Sequence, residues 1–198
     1  MNLIKIVLLM VMISFGSIVF AQTDPKQNND GTVNARFASM IHELSAVCGP
    51  FLPNQIPGIT EYMALCGGRV GFKVGRNTML ESQVLAGAGK AQRYILGSLS
   101  FRGDVQLDDI IASYYGGADV HYATSPVFNA GTNTTESTSI YFGAHVGGAL
   151  WWEMTDNLAF RGDLQFFFNP GTALFLGFSL VLRFDPQGQE AAATTPPP

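Results

Sequence analysis

The sequence predicts an all-β fold: an eight-stranded antiparallel up-and-down transmembrane β-barrel, behind a short N-terminal helical or irregular segment. Three observations predict it. Long C-terminal segments alternate apolar and mixed residues with a period of two. Charged residues are only 13% of the 198, against 47% hydrophobic. The chain also opens with an apolar run of the type that directs export. Successive side chains of a strand point to opposite faces, and about ten tilted residues suffice to cross a bilayer.

The last segment, Ala173 to Phe184, sets Leu174, Leu176, Phe178, Leu180, Leu182 and Phe184 on one face and Ala173, Phe175, Gly177, Ser179, Val181 and Arg183 on the other. Leu158 to Phe168 repeats the pattern, with Arg161, Asp163 and Gln165 on its mixed face. The intervening Asn169-Pro170-Gly171-Thr172 makes the two a hairpin. Ile140 to Glu153 alternates as well and is followed by the turn Thr155-Asp156-Asn157, so three strands form a meander.

Residues 1–21 read as a secretory signal: Lys5, then an uncharged apolar run, then Val19-Phe20-Ala21 at the cleavage position. The alternative is a retained anchor, for which the run is marginally long. No Cys follows the run, which argues against a lipoprotein. In an exported chain Cys48 and Cys66, the only two cysteines, are most simply a disulfide, closing a loop with Pro50, Pro53, Pro57 and Gly58. Free thiols are the alternative. The net charge of -4 and the absence of a basic cluster give no basis for nucleic-acid binding.

Alternation alone does not say which face is inside. The export signal permits a membrane address, and a water-facing domain carries about twice this charged fraction. The mixed face combines small residues with a few charges, which suits a narrow filled lumen. Trp151, Trp152 and Phe184 stand at strand ends, where aromatic rings sit at a membrane interface. The apolar face is therefore expected outward. The opposite assignment is a soluble periplasmic ligand-binding barrel.

With these strands, and with a final strand ending Leu180-Val181-Leu182-Arg183-Phe184, the chain from about Gly67 to Phe184 resembles the small bacterial outer-membrane β-barrel proteins of the OmpA/OmpX type. The resemblance implies a location in the outer membrane, outer-membrane lipid around the barrel, and a C-terminal strand read by the barrel-assembly machinery. Phe184 is not the last residue, however. A low-complexity tail rich in Pro, Ala and Thr, residues 185–198, follows it and is expected to be disordered.

With the final strand end periplasmic, Ala123 to Thr138 becomes an extracellular loop rich in Thr, Ser and Asn, without periodicity. Upstream, Ala112 to Tyr122, Gln92 to Arg102, Met79 to Gly89 and Arg69 to Gly75 read as strands, which brings the count to seven. Bacterial single-chain barrels have even strand numbers, so an eighth is expected within Ile59 to Cys66. The N-terminal segment, residues 22–66, contains Phe37, Met40, Ile41, Leu44 and Val47 at helical spacing. Such a helix would lie on the leaflet surface, plug the barrel or pack at its mouth; were the region a strand instead, the barrel would begin earlier.

The registers place Arg69, Lys73, Glu81, Asp119, His121, His145, Glu153, Arg161, Asp163 and Arg183 in the lumen. Buried charges must pair or be hydrated, so these residues are expected to form an internal charge network. Asp119 and His121 share a face with His145 on the next strand. No serine elbow or zinc motif accompanies them, so the sequence supports no catalytic site, metal site or cofactor. The expected role is structural or surface-interacting, with the loop 123–138 as the contact for an extracellular ligand. A small ion or solute channel is the alternative.

Overall fold

In the computed structural model, residues 42–184 are described except 76, 108–109, 128–134, 156 and 170. They form a closed barrel of eight strands, each antiparallel to its chain neighbours: β1 His42–Asn54, β2 Met63–Lys73, β3 Thr78–Ala88, β4 Arg93–Leu107, β5 Ile110–Val127, β6 Thr135–Glu153, β7 Leu158–Phe168 and β8 Thr172–Phe184. Closure comes from β1 pairing with β8, with His42 opposite Phe184 and Asn54 opposite Thr172. Both ends of the sheet therefore lie at one mouth, the near end. No helix among the described residues is long and apolar enough to cross a membrane, and the barrel would cross with its strands.

The period-two faces fall as expected. Phe178 and Leu180 are 55% and 52% exposed on the outside, while Ser179, Val181 and Arg183 between them are buried. Leu99, Phe101, Val120, Phe142 and Leu164 continue the outward apolar wall. A soluble barrel would carry such side chains inside, because water-exposed apolar area of this extent drives association.

The N-terminal expectations need correction. Residues 42–47, read at helical spacing, begin β1; residues 34–41 of that segment lie outside the described ones, as do the signal and the tail. The eighth strand is β1 itself and not a piece of Ile59 to Cys66, whose end belongs to a single long β2. The barrel thus starts at His42. In β1, Glu43 and Ser45 point inward and Leu44 and Ala46 outward, but the next inward residue is the apolar Val47. The inside changes from charged to apolar at that height, which disguises the alternation.

The expected loop 123–138 is mostly strand: β5 runs to Val127 and β6 starts at Thr135, paired as far as Val127 opposite Thr135. The pairing of β6 with β7 ends at Ala144 opposite Phe168, so this hairpin outreaches its neighbours. Its hydroxyl-rich tip lacks apolar alternation, the signal by which strands are recognised in the sequence.

Cys48 and Cys66 are bonded, and they are direct partners on β1 and β2, both on the outer face. The bond staples two strands rather than closing an irregular loop. Reduction should therefore lower unfolding stability by up to about 3 kcal/mol on chain-entropy grounds. The ladder from His42–Phe72 to Phe51–Met63 remains, so the reduced protein should still behave as a closed barrel. Denaturant titration with and without reductant checks both statements.

Candidate functional site

The inward residues sort by height into three layers. Nearest the chain ends is a network of ion pairs. Arg102, fully buried, donates to Glu43 (2.6 and 2.7 Å), to Asp104 (2.7 and 2.8 Å) and to Glu81. Arg161 donates to Glu81 (2.6 Å) and Asp163 (2.9 Å), Arg69 to Asp163 (3.2 Å) and Gln83 (2.6 Å), and Arg183 to Glu43 (2.5 Å). Arg69, Arg102, Arg161 and Arg183 thus face Glu43, Glu81, Asp104 and Asp163, an equal number of each sign. That balance meets the condition for burying charge: every ion is paired and hydrogen-bonded.

Trp151 organises this layer. Predicted at the membrane interface, it points inward and is fully buried. Arg102, Arg161 and Arg183 lie over its ring at 4.7, 4.7 and 4.9 Å from the centroid, and its indole N–H donates to Ser113 Oγ at 2.6 Å. An indole face stabilises guanidinium ions where water is excluded. Alternation decides the matter, since Trp151 and Trp152 are consecutive and only one can face out. Trp152 and Phe184 do so, at 43% and 41% exposure.

The middle layer holds the histidines. His145 Nδ1 lies 2.8 Å from Asp119 Oδ1 and its Nε2 lies 2.8 Å from Ser100 Oγ; His121 Nδ1 contacts the Tyr94 hydroxyl, and its Nε2 stands 4.0 Å from Asp119 Oδ2. The Asp119 carboxylate accepts from His145 Nδ1, and the other ring nitrogen of His145 shares a hydrogen bond with the Ser100 hydroxyl, which can donate or accept. The order serine, imidazole, carboxylate resembles a nucleophile relay, but all three groups are buried. Acyl transfer also needs free donors for an oxyanion, and strand N–H groups are engaged in the ladders. Gly143 and Gly147 matter here: a Cβ on either would collide with the rings of His121 and Tyr115.

The far half of the lumen is apolar. Val47, Phe51, Leu65, Leu85, Leu96, Phe167 and Phe175 form one buried cluster with Tyr94. Ile56 and Ile59 cap it from the β1–β2 loop, where a tight turn closed by Ile59 N–H to Ile56 O (3.1 Å) drives both side chains into the mouth. Gly58 has φ +79° in that turn, a conformation glycine adopts without cost. Gln92 of the β3–β4 loop pins the cap: its Oε1 accepts from the Thr60 and Glu61 N–H groups at 3.0 and 3.2 Å.

The predicted lumen residues Arg69, Glu81, Asp119, His121, His145, Arg161, Asp163 and Arg183 are buried inside. Lys73 and Glu153 are only half-buried, near the mouth. Sequence reasoning missed Glu43, Arg102 and Asp104, because β1 was not read as a strand and β4 extends past Arg102. It also missed the apolar far half, although Phe167 and Phe175 already stood on inward positions.

Fold and lumen together define the class: a closed eight-stranded up-and-down barrel of the outer-membrane type, apolar outside and filled within. Solved structures similar to it include the N-terminal β-barrel domain of Pseudomonas aeruginosa OprF (14% identity, TM-score 0.52, 73% of this chain and 98% of that one). Neisserial surface protein A (10%, TM-score 0.55, 73% and 97%) and Ail, the attachment invasion locus protein of Yersinia pestis (6%, TM-score 0.53, 73% and 97%), are similar as well. At these identities the likeness is one of fold. No family model matches the chain, and no curated protein matches it.

Proposed function

We propose that this protein is an outer-membrane barrel with a structural or surface-interaction role, its near end periplasmic and its far end extracellular. Export by a cleaved signal and insertion by the barrel-assembly machinery follow from the same reading. The observation that carries it is the apolar plug. Phe51, Phe167 and Phe175, closed over by Ile56 and Ile59, occupy the extracellular half of the lumen, while the ion-pair network occupies the periplasmic half. Side chains that pack against one another fill both halves, the arrangement expected of a barrel that does not conduct. The extracellular β5–β6 hairpin, which outreaches its neighbours, is then the part best placed to meet an extracellular ligand on a rigid support.

Planar-bilayer recording tests the choice between a sealed barrel and a channel. The wild type should insert, show a heat-dependent mobility shift on electrophoresis and pass no steady current. Discrete conductance steps in the intact barrel would favour a pore and overturn the sealed-lumen reading.

A further inference from the structure

Cys48 and Cys66 are neighbours in one hairpin, yet they sit midway up the outer wall. They stand 18 residues apart in the chain and are direct partners on β1 and β2. The connection between these strands is closed by its own hydrogen bond, Ile59 N–H to Ile56 O. Bringing the two cysteines together therefore requires this hairpin and none of β3 to β8, and closing a loop of that length is fast and entropically cheap.

The depth of the bond follows from the register. Cys48 is the middle residue of β1 and lies opposite Phe178, the middle residue of β8. Both cysteines are exposed on the outer face. Their outward neighbours are Ala46 and Pro50 along β1, Ala64 and Gly68 along β2, Ala86 on β3 and Phe178 on β8, and none of these is polar or charged. On the membrane reading proposed above, on which this inference rests, an apolar band about 25 Å tall leaves about 12 Å of hydrocarbon between the sulfurs and either headgroup layer. Thiol–disulfide exchange proceeds through a thiolate, and a charge at that depth is costly. Neither the cysteines nor a water-borne oxidant reacts there at a useful rate.

We infer that the bond is made before the barrel enters the membrane: a thiol–disulfide oxidant of the exported compartment acts on the β1–β2 hairpin of the water-borne chain, and the bilayer then seals the product. The Cys48–Cys66 bond forms as the oxidant's own disulfide breaks, and the two thiol protons and two electrons leave with the oxidant as its dithiol. The order of assembly is oxidation first and insertion second. β1 then reaches its closing partner β8 already tied to β2.

The test has two arms. In cells making the full-length chain, pulse labelling followed by alkylation of free thiols should find the bond in every molecule that has acquired the heat-dependent mobility shift, from the earliest time at which the shift is seen. Shifted molecules whose thiols are free and are oxidised only later would overturn the proposal. In the second arm the reduced full-length protein is refolded into phosphatidylcholine vesicles and given oxidised glutathione, which is charged and stays in water. Oxidation should be slower than in the unfolded chain by about a hundredfold, the factor that a charge at the bilayer midplane imposes. The variant His42→Cys/Phe72→Cys in a Cys48→Ala/Cys66→Ala background puts an equivalent outward pair at the strand ends, opposite Phe184. That pair should be oxidised in vesicles nearly as fast as in the unfolded chain. Equal rates for the two pairs in vesicles would also overturn the proposal, since depth would then have no effect. A wild type that lacks the heat-dependent mobility shift would instead refute the membrane reading itself.

Discussion

Arg102→Ala is expected to destabilise the barrel by about 3–5 kcal/mol, the cost of leaving buried charges without their partner. The side chain is fully buried and holds Glu43, Glu81 and Asp104 together while lying over Trp151. Its removal leaves a surplus of carboxylates in a water-poor lumen. Denaturant unfolding in detergent or vesicles, followed by Trp fluorescence, measures the loss. Neutralising one stranded acid, as in Arg102→Ala/Glu43→Gln, should recover part of it, since the penalty resides in the unpaired charge and not in the missing volume. A loss below about 1 kcal/mol, the size of an exposed ion pair, would show that water reaches the network and that the near half is not sealed.

The second large effect lies on the opposite face of the wall. Phe178→Arg should cost about 2–4 kcal/mol, because position 178 is outward and midway along β8, where a guanidinium would sit in hydrocarbon. Phe184→Arg, on the same face at the strand end, should cost only about 0–1 kcal/mol, as the charge reaches the interface. A parallel pair of measurements in vesicles gives the depth profile. Equal damage at both positions would contradict a bilayer around the barrel, since a watery exterior has no depth and a packed interface has no such gradient.

Two neighbouring tryptophans show how far the chain could be read without its structure. The pleat put Trp151 and Trp152 on opposite faces, and that much was legible. That three guanidinium groups would gather on Trp151 was not, because Arg102, Arg161 and Arg183 come from β4, β7 and β8 and meet only when the sheet closes. Alternation by itself places Arg69 and Asp163 inward, yet nothing in their spacing foretells that β2 and β7 bring them to 3.2 Å. Asp119 and His145, on adjacent strands, could be foreseen as neighbours; Ser100 could not.

β1 is hard to recognise in the sequence for a related reason. Its inward face crosses from Glu43 and Ser45 to Val47 and Phe51, so a strand passing through two lumen environments loses the regular contrast that marks its neighbours. The disulfide was legible from the even cysteine count together with the expected export, while its place as an outer-wall staple depended on the register of β1 and β2.

What the sequence determined by itself was the alternation, hence strands with one apolar face, their approximate number, and the outward placement of that face in a chain so poor in charge. Only the tertiary structure decided that the lumen is charged at one end and plugged by aromatic rings at the other. Alternation is a property of neighbours along the chain. The filling of a barrel depends on which side chains share a height across all eight strands, and that is set by register and closure.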